Sequence, residues 1–144
     1  MQASALGDDG VQTVRYWLYA PGRGACMWDE FYERGVMGLG WHELGDLRGY
    51  ATKEEMRQRL LETRDDSTSQ TNSARAVWQF ANEMKPGDVV FVKRGLKEII
   101  GRGVVTGDYV YDPDGGEYPH LRDVSWNRQG SWRSDQQFAM KTLT

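Results

Sequence analysis

A chain of 144 residues, 39% of them hydrophobic, fits one domain with a real core, which excludes a largely disordered protein. Its 18 Lys and Arg against 21 Asp and Glu leave a formal net charge of −3, so it is no general polycation and any nucleic-acid binding has to be local. A lone cysteine, Cys26, excludes an internal disulfide, no apolar run approaches the roughly 20 residues of a membrane span, and MQASALGDDG lacks the regions of a secretory signal. These features predict a cytoplasmic protein with no membrane partner.

In chain order, residues 1–13 read as a disordered leader and 14–144 as a single domain. Val14 to Tyr19 is rich in β-branched and aromatic residues and ends at Pro21, Gly22 and Gly24, which predicts a first strand. Trp28, Phe31 and Tyr32 then recur at helical spacing, with Asp29 and Glu30 in the first turn and Gly35 at the position of a glycine cap. Val36 to Trp41 reads as a second strand. Thr52 and Glu55 form a capping-box signature that starts a helix running through Met56 and Leu60. Asp65 to Ser73 is a polar loop, and Ala74, Val77, Phe80, Ala81 and Met84 mark a longer helix stopped by Pro86 and Gly87. The remainder is β: Val89 to Val92, Ile99 to Tyr111 with interior glycines that signal bulges or coiling, Leu121 to Trp126, and Phe138 to Leu143. The order predicts an α+β fold, a small curved barrel with helices, and the apolar segment at the end suggests a module cut from a longer protein.

Catalytic signatures are absent from the sequence. His42, His120 and Cys26 have no metal-ligand spacing, no nucleophile elbow surrounds Cys26, and PGRGAC lacks the lysine and hydroxyl of a phosphate loop. The reading is a non-enzyme without metal or cofactor. The unusual resources lie elsewhere. Six tryptophans and seven tyrosines include several at element ends (Trp28, Trp41, Tyr109, Tyr111, Trp126, Trp132), where a ring either packs on the core or walls a site for a flat ligand. Lys85 to Thr106 carries Lys85, Lys93, Arg94, Lys97 and Arg102 against Asp88 and Glu98, which makes it the chain's basic stretch.

Four segments in order, YWLYAPGRGACMWDEFYERG, GLGWHELGDLRGY, TNSARAVWQFANEMKPGDVVFVKRG and IIGRGVVTGDYVYDP, resemble an EVE domain of the PUA-like superfamily. More narrowly they are similar to the N-terminal modules of Mcr-type modification-dependent restriction enzymes. The likeness spans Tyr16 to Thr144. It implies a PUA-like twisted β-barrel of about five or six strands with helices packed around it. It also implies recognition of a modified base, methylated cytosine or N6-methyladenine, in double-stranded DNA by base flipping, so that a restriction system is aimed at foreign modified DNA. The full-length protein would then be fused to a nucleotide-hydrolysing motor that works with a nuclease partner.

By similarity to the related YTH readers, an aromatic just after the second strand walls the base cage, which assigns that role to Trp41. Asp46 then either accepts a hydrogen bond from an exocyclic amino group or caps a helix. The opposite wall comes from Tyr109, with Tyr111 second, and Trp28 with the Gly24, Ala25 and Cys26 backbone closes the floor. Phosphate contacts are expected from Arg23, Lys93, Arg94 and Lys97, then from Arg122, Arg128 and Arg133. The alternatives are a reader of modified RNA and a module for a peptide or small ligand.

Overall fold

The computed structural model describes residues 6–7, 9–10, 13–63, 70–138 and 141–144. Most of the expected leader lies outside the described residues; within it, Leu6–Gly7 pairs antiparallel with Asp9–Gly10. The domain is α+β: a curled half-barrel sheet with three helices packed around it. Its elements are β1 (Tyr16–Tyr19), α1 (Trp28–Arg34), β2 (Val36–Leu39), α2 (Lys53–Thr63), α3 (Thr71–Trp78), β3 (Val89–Arg94), β4 (Glu98–Val105), β5 (Val110–Tyr111) and β6 (His120–Arg133).

The sheet runs β1-β3-β4-β6-β2, with β5 also on β6. β1 and β3 are parallel; the other pairs are antiparallel. β6 is the spine. Its first residues pair with β2 and with β5, and from Val124 onward it follows β4 to Arg133. Expected strands differ at their ends. The segment Ile99 to Tyr111 is two strands, β6 extends well past Trp126, and the described part of the last segment contributes a bridge, Leu143 to Tyr19, flanked by backbone hydrogen bonds between Leu18 and Thr144.

Local sequence rules account for the helices. Gly35 closes α1 with a left-handed backbone, φ 69°, so the chain can reverse at once into β2. Thr52 and Glu55 form the reciprocal capping box, Glu55 N–H donating to Thr52 Oγ1 and Glu55 Oε1 accepting from the Thr52 amide. Part of the expected polar loop, residues 64–69, lies outside the described residues, and α3 begins already at Thr71. α3 continues as a wide π turn, Gln79–Glu83. The carbonyls of Phe80 and Ala81 there accept hydrogen bonds from the buried guanidinium of Arg122, which also reaches the Gly107 carbonyl. Arg122, expected at a phosphate, is a structural cap.

Two buried polar groups fix the sheet. Asp88 accepts from the Trp17 indole N–H at 3.0 Å, from the Lys85 amide at 3.1 Å and from the Arg15 amide at 3.2 Å, tying the start of β1 to the start of β3. Burial alone would raise its carboxyl, but these donors outweigh burial and hold it below its ordinary range. Tyr19, fully buried, donates its phenol to the Gly38 carbonyl and accepts from the Gly38 amide at 3.0 Å. Around them Trp17, Phe31, Met37, Leu47, Met56, Leu60, Val77 and Phe80 form the core.

Replacing Tyr19 by Phe keeps the ring and strands both Gly38 backbone groups. Each buried group left unpaired costs about 1–3 kcal/mol. Urea unfolding of Tyr19→Phe is expected to show that loss as a lower midpoint with an unchanged slope; a midpoint equal to wild type would refute the closure role.

Candidate ligand cleft

One end of the half-barrel, where β1, β2 and β3 finish and β6 begins, opens into a cleft of about 860 Å³. Its walls come from four loops: Gly22 to Gly24 after β1, Gly40 and Trp41 after β2, Gly95 and Leu96 between β3 and β4, and Tyr118 just before β6, with Lys141 and Thr142 at the margin. Among the described residues three lining side chains are cationic, Arg23, Lys93 and Lys141, and none is a carboxylate. Lys93 is buried, and that burial pulls its ammonium below the usual lysine range. A dehydrated ammonium interacts with an approaching acceptor more strongly than a hydrated one does. At Gly22, φ 78°, an added Cβ would stand 2.8 Å from Cys26 Sγ and 2.9 Å from Tyr118 Oη. Only glycine lets this loop lie against Tyr118.

Backbone strain gathers in the same loops. Among the described residues three non-glycine positions have left-handed backbones, and two of them, Ala25 at φ 59° and Trp41 at φ 58°, belong to the loops that wall the cleft. Such a conformation costs on the order of 1–3 kcal/mol and persists only where neighbours enforce it. For Trp41 the enforcing group is His120, whose Nε2 lies 3.1 Å from the Trp41 carbonyl oxygen. A carbonyl can only accept, so Nε2 carries the proton and Nδ1 is an acceptor. Nδ1 accepts a hydrogen bond from the Tyr109 hydroxyl at 2.8 Å, and that hydroxyl accepts from the Leu47 amide at 3.1 Å. The direction of every hydrogen bond from Leu47 to Trp41 is thereby set. The Trp41 carbonyl also accepts from the Leu44 amide, which starts the short turn His42–Leu44.

The structure brings Trp41, Arg23 and Lys93 to one cleft, with the backbone of Gly24. It does not bring Tyr109 there. Tyr109 is in the core, its hydroxyl is occupied, Arg48 lies over its ring at 5.7 Å, and burial pushes its phenol up to about 12. Tyr111 packs on His120, ring centroids 5.7 Å apart. Trp28 is buried between Tyr32 and Trp126, and Gly101 lies so close that a Cβ there would overlap the indole. Asp46 takes the capping alternative. It accepts from the Arg48 amide at 3.0 Å and holds the Arg48 guanidinium, which keeps its carboxyl below the ordinary range. Arg94 is paired with Glu98 at 2.8 Å; Lys97, Arg128 and Arg133 are exposed outside the cleft lining. Ala25 and Cys26 follow Gly24 in the cleft loop, and neither lines the cleft.

Sequence reasoning missed Tyr118 and Lys141. Tyr118 met the same criterion that selected Trp41, an aromatic beside an element end, but the strand was expected to begin at Leu121 and Tyr118 read as mid-loop. Among the described residues no group of three His, Cys, Asp or Glu side chains is arranged to hold a metal ion, and no helix is long and apolar enough to cross a membrane.

A family model described as a domain of unknown function (DUF8426) matches residues 17–144. No curated protein matches the sequence. The NMR structure of a structural-genomics target from Rhodopseudomonas palustris is 20% identical, covers 81% of this chain at a TM-score of 0.36, and is spanned by it over 63% of its own length.

The relay behind Trp41 is titratable. Burial lowers the His120 imidazole from its ordinary value, about 6.5, so the unfolded chain takes up this proton before the folded one does. The stabilisation is fully present above about pH 6.5 and is lost as pH falls toward the lower folded value. Chemical unfolding at pH 7.5 and 5.5 is expected to show wild type losing stability across this window and His120→Gln losing less; equal losses would mean that His120 is not the titrating group.

Proposed function

The chain belongs to the DUF8426 family, and within this family of unknown function we propose that it is a cytoplasmic binding module, which reads a modified base in DNA by taking the flipped base into the cleft between Trp41 and Tyr118. The observation that carries the reading is the cleft's composition among the described residues: two aromatic rings, three cations, glycine-rich walls and no carboxylate side chain. A planar ligand attached to phosphate suits that set. The EVE resemblance of the sequence points the same way, and in the setting it implies the module directs a motor and a nuclease to foreign DNA.

The energetics fit a reader better than a simple methyl sensor. Extruding a base costs a few kcal/mol, and stacking on a protein ring returns about 1–3 kcal/mol per base, so Trp41 and Tyr118 together offset the extrusion. Burying one methyl adds only about 0.8 kcal/mol, roughly fourfold in affinity. Larger discrimination needs polar groups that penalise the wrong base edge. Lys93 is the lining side chain suited to that task, since its buried ammonium presents donors only. Arg23, exposed, and Lys141 at the margin both line the cleft, which supports a role for them at the flanking phosphates.

The test is fluorescence anisotropy at moderate salt with one duplex in unmodified, 5-methylcytosine, 5-hydroxymethylcytosine, N4-methylcytosine and N6-methyladenine forms, together with matched RNA. Wild type is expected to bind one modified duplex more tightly, with Trp41→Ala losing about 1–3 kcal/mol of that affinity and Arg23→Ala weakening all duplexes alike. Equal binding of every duplex would sink the DNA reading, and a preference confined to RNA would replace it with an RNA reader.

A further inference from the structure

The outer face of the sheet carries a second assembly of rings and cations, away from the cleft. Leu18, Phe91, Arg102 and Arg128 stand in register across β1, β3, β4 and β6. In the next row Ile99 pairs with Trp132. Tyr16 stacks on Phe91, centroids 6.4 Å apart and planes 23° from parallel, and the Arg102 guanidinium lies over the Phe91 ring, 5.9 Å from its centroid. Two of these rings are open to solvent: Tyr16 is 67% exposed and Trp132 45%. Near them Phe91, Ile99, Gly101, Arg102, Arg128 and Trp132 line a depression of about 370 Å³, with no carboxylate among the described lining residues. The nearest acid in register, Glu98, already holds the Arg94 guanidinium and the Ser131 hydroxyl, and that pairing with Arg94 keeps its carboxyl down to about 2.

We propose that this face is a platform for single-stranded nucleic acid, its bases stacking on Tyr16 and Trp132 and its phosphates meeting Arg102 and Arg128. The chemistry selects the occupant. Arg102 donates to the neutral Asn127 side chain at 3.3 Å, and an apolar protein surface would bury two guanidinium charges with no anion against them, which is costly, whereas a polyanion supplies the countercharge. A duplex is excluded because its bases are already stacked on one another and offer no face to a ring; a single strand offers every base. The surface does not depend on the cleft reading, because it uses no lining residue of the cleft and requires no modified base.

The experiment is anisotropy of a labelled, unmodified oligothymidylate of about 12 nucleotides, within the range such surfaces cover, at low salt and over a salt series, beside its duplex with oligoadenylate. Wild type is expected to bind the strand more tightly than the duplex. Trp132→Ala should weaken it about five- to 160-fold, the loss of one stacked base, and Tyr16→Ala, at an exposed strand end, gives the same readout if Trp132→Ala fails to fold. The double variant Arg102→Gln, Arg128→Gln should flatten the salt dependence by about 1.4 in logarithmic slope, two phosphate contacts on a single strand. No binding at low salt, or wild-type binding by folded ring and arginine variants, overturns the proposal. Loss with Trp41→Ala but not with Trp132→Ala would assign strand binding to the cleft and overturn it equally.

Discussion

A single phenol holds the two ends of the sheet together. β1 and β2 are the terminal strands of the path β1-β3-β4-β6-β2, so the amide and carbonyl of Gly38 that face away from β6 have no strand to pair with. The Tyr19 hydroxyl supplies both a donor and an acceptor to that one residue, the combination that only a hydroxyl among short polar groups can offer. Its burial raises the phenol far above its ordinary range, so it stays protonated and both bonds persist. The half-barrel is thereby curled tightly enough to leave a cleft at one end, without a full row of ladder hydrogen bonds that would seal it.

The cleft's shape follows from what must happen to the chain at that end. Each strand that stops there has to turn sharply, and the turns are made by Gly22, Gly24, Gly40 and Gly95 where no side chain is wanted, and by Ala25 and Trp41 in strained conformations where one is. The strain at Trp41 is sustained by His120, a buried imidazole whose position on β6 is fixed by pairing to both β2 and β5. The path from core to cleft is short: the Leu47 amide orients the Tyr109 hydroxyl, which orients His120, which holds the Trp41 carbonyl. Aromatic placement in the cleft is therefore a property of the core, and Tyr109 serves the site from behind its wall.

What was legible in the sequence was local. The Thr52 and Glu55 capping box and the Gly35 cap depend on residues a few positions apart, and they stand as read. Trp41 was legible because a short apolar run followed by turn residues marks a strand end whatever the strand packs against. Side-chain direction across irregular strands was not. Arg122 sits between His120 and Val124 in a run where alternate residues are buried, yet a charged residue in a strand normally reads as solvent-facing; only the π turn of α3, with carbonyls in need of donors, explains its inward position. Tyr109 failed for a related reason. β4 ends at Val105, and the turn through Thr106 to Asp108 resets the alternation that a continuous strand to Tyr111 would have carried.

The same irregularity lets one strand serve two surfaces. Phe91 and Lys93 are two residues apart on β3, and on a regular strand both would project from one face. Phe91 belongs to the outer face, while Lys93 is buried and lines the cleft. The pairing of β3 with β4 shifts register between Val92 and Lys93, with Ile100 the extra residue, and such bulges re-aim the side chains beside them. An aromatic and a cation two residues apart thus serve two different surfaces, the outer face and the cleft. Net charge is a poor guide to a chain of this kind. At −3 overall, it still gathers Arg23, Lys93 and Lys141 around one cleft and Arg102 and Arg128 on one face, neither with a carboxylate among its described lining residues, and it is this local segregation that a polyanionic ligand would meet.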